Sequence, residues 1–231
     1  AVKTAMKGKK TIFCGDIGCY TLGNAMPLDM VDTCLCMGAG LNIAQGVEKV
    51  EPDTTCFAFV GDSTFFASAI TGVVNAVYNQ ANMVLIVLDN STTAMTGHQP
   101  HPGTGQTVMG EIVQKINIEQ VLRGIGVTEI ETINPLELEA SVSCVKRMAE
   151  KSGVRAIIFK APCIAVTKPK APLHVDQDSC IGCKKCIRDL GCPAIVMNDG
   201  KICIDASMCT GCHLCSQVCP VCAIAGGDNH E

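Results

Sequence analysis

The chain has 231 residues, 48% hydrophobic and 17% charged, with a formal net charge of −4. So mild a balance gives no electrostatic footprint for nucleic acid or an anionic membrane surface, and no apolar run reaches the ~18 residues of a membrane span. The expected organisation is one medium domain plus a small one. Trp is absent, aromatics make up 3%, and cysteine is the outlier at 17 copies. The core must therefore be built from Val, Ile, Ala, Met and Cys. Residues 1–10 are basic and show no secretory pattern. So many thiols then suit a reducing, anaerobic cytoplasm.

In chain order, Thr11–Cys14 is expected as a short buried strand, followed by the turn Gly15-Asp16-Ile17-Gly18-Cys19. Met37–Val50 reads as a helix opened by Gly38, Ala39 and Gly40, small residues that let backbone approach a ligand. Thr55–Val60 is a β-rich run ended by Gly61-Asp62-Ser63. A helix over Thr64–Gln80 follows, with Phe65, Ile70, Val73, Val74 and Val77 on its apolar side. The continuous apolar run Met83–Leu88 predicts a buried parallel strand ending at Asp89-Asn90-Ser91-Thr92. The polar stretch Thr93–Gly110 is long enough to be functional. Glu119–Gly124 marks a helix end and Val127–Ile130 a strand. Pro135–Lys151 reads as a helix with Asn134 as its N-cap, and Val154–Lys160 as the last strand. Alternating strands and helices predict a parallel α/β sheet over residues 1–160. Residues 161–172 carry three prolines and read as a semi-rigid linker to a small α+β domain over 173–231.

That small domain is built on two cysteine runs. Cys180, Cys183 and Cys186 are followed by Cys192-Pro193; Cys209, Cys212 and Cys215 are followed by Cys219-Pro220. The runs form an internal repeat, 175–186 against 204–215. Two-residue gaps let a tight loop aim three thiolates at one cubane, and the spacing resembles two-cluster bacterial ferredoxins, except for a longer last gap in the first run. In that pattern the fourth cysteine serves the other cluster. One 4Fe-4S cluster is thus assigned to Cys180, Cys183, Cys186 and Cys219, the other to Cys209, Cys212, Cys215 and Cys192. Zinc is the second reading, but zinc sites use paired ligands rather than two triplets plus Cys-Pro.

Asp62 and Asn90 end two successive strands, neighbours at the carboxyl edge of a parallel sheet where ligands bind. Both are hard oxygen donors suited to Mg²⁺, and the Thr92 carbonyl is a candidate third ligand. The helix after Gly61-Asp62-Ser63 offers its N-terminus to a phosphate. The bland reading is a βαβ unit with Asp62 as helix cap and Asn90 in a turn. His98 and His101, in the loop that should cover the pocket, are candidate acids or bases, or two surface histidines. Met37 and Met95 are pocket candidates or core residues. Lys184, Lys185 and Arg188 are a docking patch or a solvated face.

Gly61-Asp62-Ser63 followed after about 26 residues by Asn90 resembles the thiamine diphosphate motif. With the cysteine runs it resembles the 2-oxoacid:ferredoxin oxidoreductases. The segments Gly15–Gly23, Asp32–Ala39 and Thr92–Gly105 are similar to the large subunit of the indolepyruvate branch. The resemblance implies a thiamine-diphosphate-binding domain with Mg²⁺ on Asp62, Asn90 and Thr92, and a cofactor lined by Gly18, Cys19, Gly38, Gly61, Ser63, Met95 and Thr96. It implies oxidative decarboxylation of aryl-2-oxoacids, coenzyme A as co-substrate, and electron exit through the clusters to an external ferredoxin. Pyruvate or 2-oxoglutarate as substrate, or an electron-transfer subunit without its own active site, are the alternatives. Cys19 and Cys163 match two ligand positions of a possible third cluster. Family subunits are longer and carry a pyrimidine-binding region upstream. The chain is therefore expected to be a fragment or split subunit, completed by a pyrimidine-domain segment or subunit and a smaller β (gamma-type) subunit.

Overall fold

A computed structural model describes residues 1–226. The last five residues of the expected second domain lie outside the described residues. The chain divides into two compact units. One comprises Ala1–Asn24 and Met30–Cys163; the other comprises Ala25–Asp29 and the chain from Ile164 onward.

The first unit is a five-stranded parallel sheet of β1 (Thr11–Cys14), β2 (Thr55–Gly61), β3 (Met83–Asp89), β4 (Glu129–Ile133) and β5 (Val154–Lys160), in the order β1-β2-β3-β5-β4. Successive side chains of a strand face opposite sides, so both faces need cover. Met83, Leu85 and Val87 point to a layer with Leu41 and Ala44 of α2 (Ala39–Val50), Val73 and Ala76 of α4 (Ile70–Tyr78), and Leu122 of α5 (Ile118–Ile125). Val84 and Ile86 point to the other layer, with Val2 and Ala5 of α1 (Val2–Ala5) and Cys144, Val145 and Met148 of α6 (Leu138–Glu150). The short turn α3 (Asp62–Thr64) and a π-helical turn, Phe65–Ala69, run directly into α4.

Four expectations are corrected. Thr11–Phe13 are only half-buried, because β1 is an edge strand; Asp32 and Thr33 partly cover it, through Asp32 N–H to the Phe13 carbonyl (2.8 Å) and Gly15 N–H to the Thr33 carbonyl (2.9 Å). Val74 is 49% exposed, off the apolar stripe. The strand expected at Val127 begins at Glu129, since Val127 N–H still closes α5 on the Leu122 carbonyl (3.0 Å). Helix α6 begins at Leu138 with Glu137 at its cap position: Asn134 Oδ1 accepts from Leu136 N–H (3.0 Å), an Asx turn that holds residues 134–136 out of the helix.

In the second unit, β6 (Leu173–Val175) pairs antiparallel with β9 (Ile224–Gly226), and β7 (Ile195–Asn198) with β8 (Lys201–Ile204). The sequence repeat is a structural one. Val175 faces Ile224 as Ile204 faces Ile195. Asp176 N–H donates to the Ala223 carbonyl and Asp205 N–H to the Ala194 carbonyl, both at 2.8 Å. Asp176 Oδ1 accepts from Asp178 N–H (3.0 Å) and Asp205 Oδ1 from Ser207 N–H (2.9 Å). Helices α7 (Lys185–Leu190) and α8 (Leu214–Val218) follow the two triplets. The stretch read as a linker is held at both ends: Cys163 N–H donates to the Asn90 carbonyl (3.0 Å), and Lys170 N–H to the Thr210 carbonyl (3.2 Å).

Candidate thiamine-diphosphate edge and cysteine cavities

β2 and β3 run side by side to Gly61 opposite Leu88, which brings Asp62 and Asn90 to adjoining strand ends. Asp62 is 2% exposed, a burial a carboxylate tolerates only with donors around it. Its Oδ1 accepts from Ser63 N–H (2.8 Å) and its Oδ2 from Ser91 N–H (2.7 Å). Ser91 reaches this position with φ +62°, a left-handed conformation unusual for a residue with a side chain. Asn90 is half-buried, with Oδ1 accepting from Thr92 N–H (3.2 Å). The Thr93 hydroxyl donates to Ser63 Oγ (2.9 Å), tying the two strand ends together.

Asp16 is a member of this edge that the sequence reading did not single out. It is fully buried, and burial pushes its carboxyl up to about 6 against the pull of Gly38 N–H on Oδ2 (2.6 Å). The Tyr20 hydroxyl donates to Asp16 Oδ1 and accepts from Gly61 N–H (3.0 Å). Asp16 thereby joins the end of β1, the start of α2 and the end of β2. Gly38, at φ +81°, meets Ser68, and a Cβ on Gly40 would lie 2.7 Å from the Cys14 and Gly15 carbonyls. These small residues let helix approach strand; Gly18 likewise packs against the Tyr20 ring.

The two histidines separate. His98 is exposed in a turn, its N–H on the Thr93 carbonyl (2.9 Å). His101 is buried, with Nε2 3.2 Å from Asp62 Oδ2 and its ring stacked on Phe66 (centroids 5.8 Å, 29°). The approach to Asp62 is not aligned as a hydrogen bond, so Nε2 is a buried nitrogen without a hydrogen-bond partner. Met37, Met95 and Thr96 are exposed, Thr96 Oγ1 donating to Gln99 Oε1 (2.6 Å). Cys19 opens an exposed 3₁₀ turn after β1, and Cys163 follows β5 beside Asn90.

In the second unit, Cys180, Cys183, Cys186 and Cys219 line one cavity, closed by Val175, Pro220 and Ile224. Burial raises the Cys186 thiol, and the neighbouring Cys183 and Cys219 add to the rise. Cys215 is pushed up to about 11, first by burial, then by Cys212, Cys192 and Cys209. Each triplet thus feels the fourth cysteine of the other run. Gly182 and Gly211, and Lys184 and His213, all hold φ between +58° and +67° at matching repeat positions, curling each loop around its thiols. Among the described residues no three or more His, Cys, Asp or Glu side chains are grouped so as to hold a single metal ion.

The sheet edge belongs to a known class of domain. A family model described as thiamine pyrophosphate enzyme, C-terminal TPP binding domain, matches residues 16–159, and the chain belongs to that family. It is 42% identical over 221 residues to the indolepyruvate oxidoreductase subunit IorA of Methanothermobacter thermautotrophicus, over 95% of this chain and 36% of that relative. It is 40% identical over 215 residues to subunit IorA of Archaeoglobus fulgidus, over 90% of this chain and 34% of that relative. The chain therefore spans about a third of the length of these curated relatives. The fold is similar to a 2-oxoglutarate:ferredoxin oxidoreductase from Magnetococcus marinus, solved with 2-oxoglutarate, coenzyme A and succinyl-CoA bound. The TM-score is 0.65 at 18% identity, covering 72% of this chain and 61% of that one.

Proposed function

We propose that this chain is the thiamine-diphosphate-binding and electron-exit part of an aryl-2-oxoacid:ferredoxin oxidoreductase, with indolepyruvate as substrate and acyl-CoA and CO₂ as products. The observation that carries the reading is the presence, on one chain, of a buried carboxylate at a thiamine-domain sheet edge and a repeated cysteine module in which Cys180, Cys183, Cys186 and Cys219 line one cavity.

The residues fit the groups they would hold. Asp62, Asn90 Oδ1 and the Thr92 carbonyl form an oxygen-only donor set of the kind Mg²⁺ prefers with a diphosphate. Thiamine diphosphate, when bound, supplies the carbanion stabilisation that decarboxylation needs. The chain's own share is positional. Ser63 and Ser91 N–H groups fix the Asp62 carboxylate, and Tyr20 and Asp16 fix the Gly61 turn that leads into it. Exposed Met37 and Met95 supply apolar surface suited to an aromatic side chain. The two cysteine sets are suited to two 4Fe-4S clusters carrying one electron at a time, and Cys19 and Cys163 are candidate ligands for a third. Lys184 and Arg188 border the first triplet, whereas His213 and Gln217 hold the matching positions at the second. That asymmetry favours an acidic ferredoxin at the first. A pyrimidine-binding segment or subunit and a smaller subunit complete the complex.

The test is ferredoxin-dependent oxidation of indolepyruvate, phenylpyruvate and pyruvate by the native complex in the presence of coenzyme A. The expected order places both aryl substrates above pyruvate. Equal or faster turnover of pyruvate overturns the substrate assignment.

A further inference from the structure

We infer that His101 is a positioning residue. Its Nε2 lies against Oδ2 of Asp62 beside Ser91 N–H, a placement that, as a hydrogen bond, fills Oδ2 and leaves the carboxylate one lone pair, on Oδ1, for a cation. The inference rests on the reading of Asp62 as a Mg²⁺ ligand.

The argument starts from the ring's other nitrogen. His101 Nδ1 accepts from Gly103 N–H at 3.1 Å, so Nδ1 carries no proton and the neutral ring has its proton on Nε2. That nitrogen points into the buried edge 3.2 Å from Asp62 Oδ2, with both side chains at most 5% exposed. An imidazole in this state is a donor and not a metal ligand. A carboxylate has about four lone-pair sites. Ser91 N–H and His101 Nε2 both address Oδ2, and Ser63 N–H takes one site on Oδ1. One site remains.

The ring is held by its packing. Phe66 stacks on it from the π-helical turn and meets Phe65 edge-on at 5.3 Å and 81°. A Cβ on Gly103 would lie 3.0 Å from both His101 Cε1 and Phe66 Cε2, so the absence of a side chain there lets the backbone approach the ring without shifting it. Nε2 faces Oδ2 at 3.2 Å without hydrogen-bond alignment, and the His101 variants test whether it donates there. Outer partners of this kind orient a ligand and set its basicity.

Two measurements test the inference on the native complex and the full chain. Mn²⁺ is titrated at fixed thiamine diphosphate into complexes carrying wild-type chain, His101→Phe or His101→Gln, with free Mn²⁺ counted by electron paramagnetic resonance. Phe preserves the stack on Phe66 and removes both nitrogens; Gln restores an N–H donor. The expected result is a ~10–100-fold loss of Mn²⁺ affinity in the Phe variant and recovery of most of it in the Gln variant, with similar thermal midpoints in all three. A long-range ¹⁵N–¹H spectrum of the full chain is expected to show His101 as the neutral Nε2–H form. Unchanged Mn²⁺ affinity in His101→Phe overturns the inference, as does a Gln variant as weak as Phe, or a proton found on Nδ1. A wild-type complex that takes up no Mn²⁺ with thiamine diphosphate overturns the cation reading of Asp62 itself, and this inference with it.

Discussion

Asp16 has no solvent exposure, and among the described residues only Gly38 N–H and the Tyr20 hydroxyl stand in for water at its carboxylate. Its carboxyl titrates near 6 in the fold, against 3.8 for the unperturbed group. A carboxyl raised in this way favours the folded state while protonated. That contribution is complete below pH 3.8 and is lost as the pH rises through about 6. The difference is worth about 3 kcal/mol at most. Asp16→Asn should therefore gain stability relative to wild type across that window, measured as urea midpoints from pH 4 to 8. A gap that stays constant with pH contradicts the account. Asp62 differs, because each of its oxygens accepts a backbone N–H. Asp62→Ala leaves Ser63 N–H without its acceptor and Ser91 N–H with Asp89 Oδ1 (3.1 Å) in place of two acceptors, and it removes the candidate cation ligand. Mg²⁺-dependent retention of thiamine diphosphate should fall by at least about 100-fold, in proportion to ~3 kcal/mol, as read by equilibrium dialysis. Full retention refutes the assignment.

Helix α2 shows how an element is placed by what it lacks. A methyl on Gly40 would sit 2.7 Å from two carbonyl oxygens of the β1 end, which cannot move aside cheaply. Gly40→Ala should cost about 1–3 kcal/mol. Gly46, in the same helix with nothing near its missing Cβ, should gain about 0.4–1 kcal/mol on change to Ala. Chemical denaturation of the two variants should move the midpoint in opposite directions; a shared direction rules out close packing as the cause. The elements themselves are largely readable, because β3 and β5 are buried on both faces and so carry the apolar runs 83–88 and 156–159. Even there Arg155 intrudes, 2% exposed, its guanidinium satisfied by the nearby Met148 and Gly153 carbonyls and by Asn82, which only folding brings near. The start of α6 was misread for a local reason: Asn134-Pro135 has the letters of a helix start, and the side chain of Asn134 used its oxygen one turn too early. Asp62 and Asn90 were legible from spacing, whereas His101 beside Asp62 depends on a loop path that no local pattern encodes.

At the scale of the molecule, the chain joins a thiamine-type sheet edge to a twofold-repeated cysteine module. The repeat is the basis for pairing the thiols across the two runs. Cys215 responds to Cys192, and Cys186 to Cys219, across the two runs. Cys192→Ser should disturb the cluster of the later triplet and Cys219→Ser that of the earlier one, resolved by Mössbauer and electron paramagnetic resonance spectra. Damage to the triplet adjoining each mutation in sequence would reverse the assignment. The most direct test of the whole account joins the two units. Indolepyruvate is added to the native complex without coenzyme A or ferredoxin, and the visible absorbance of the clusters is followed. The account predicts prompt partial bleaching with wild-type chain and none with Asp62→Ala at unchanged iron content. No bleaching in the wild type, or full bleaching in the variant, would contradict it.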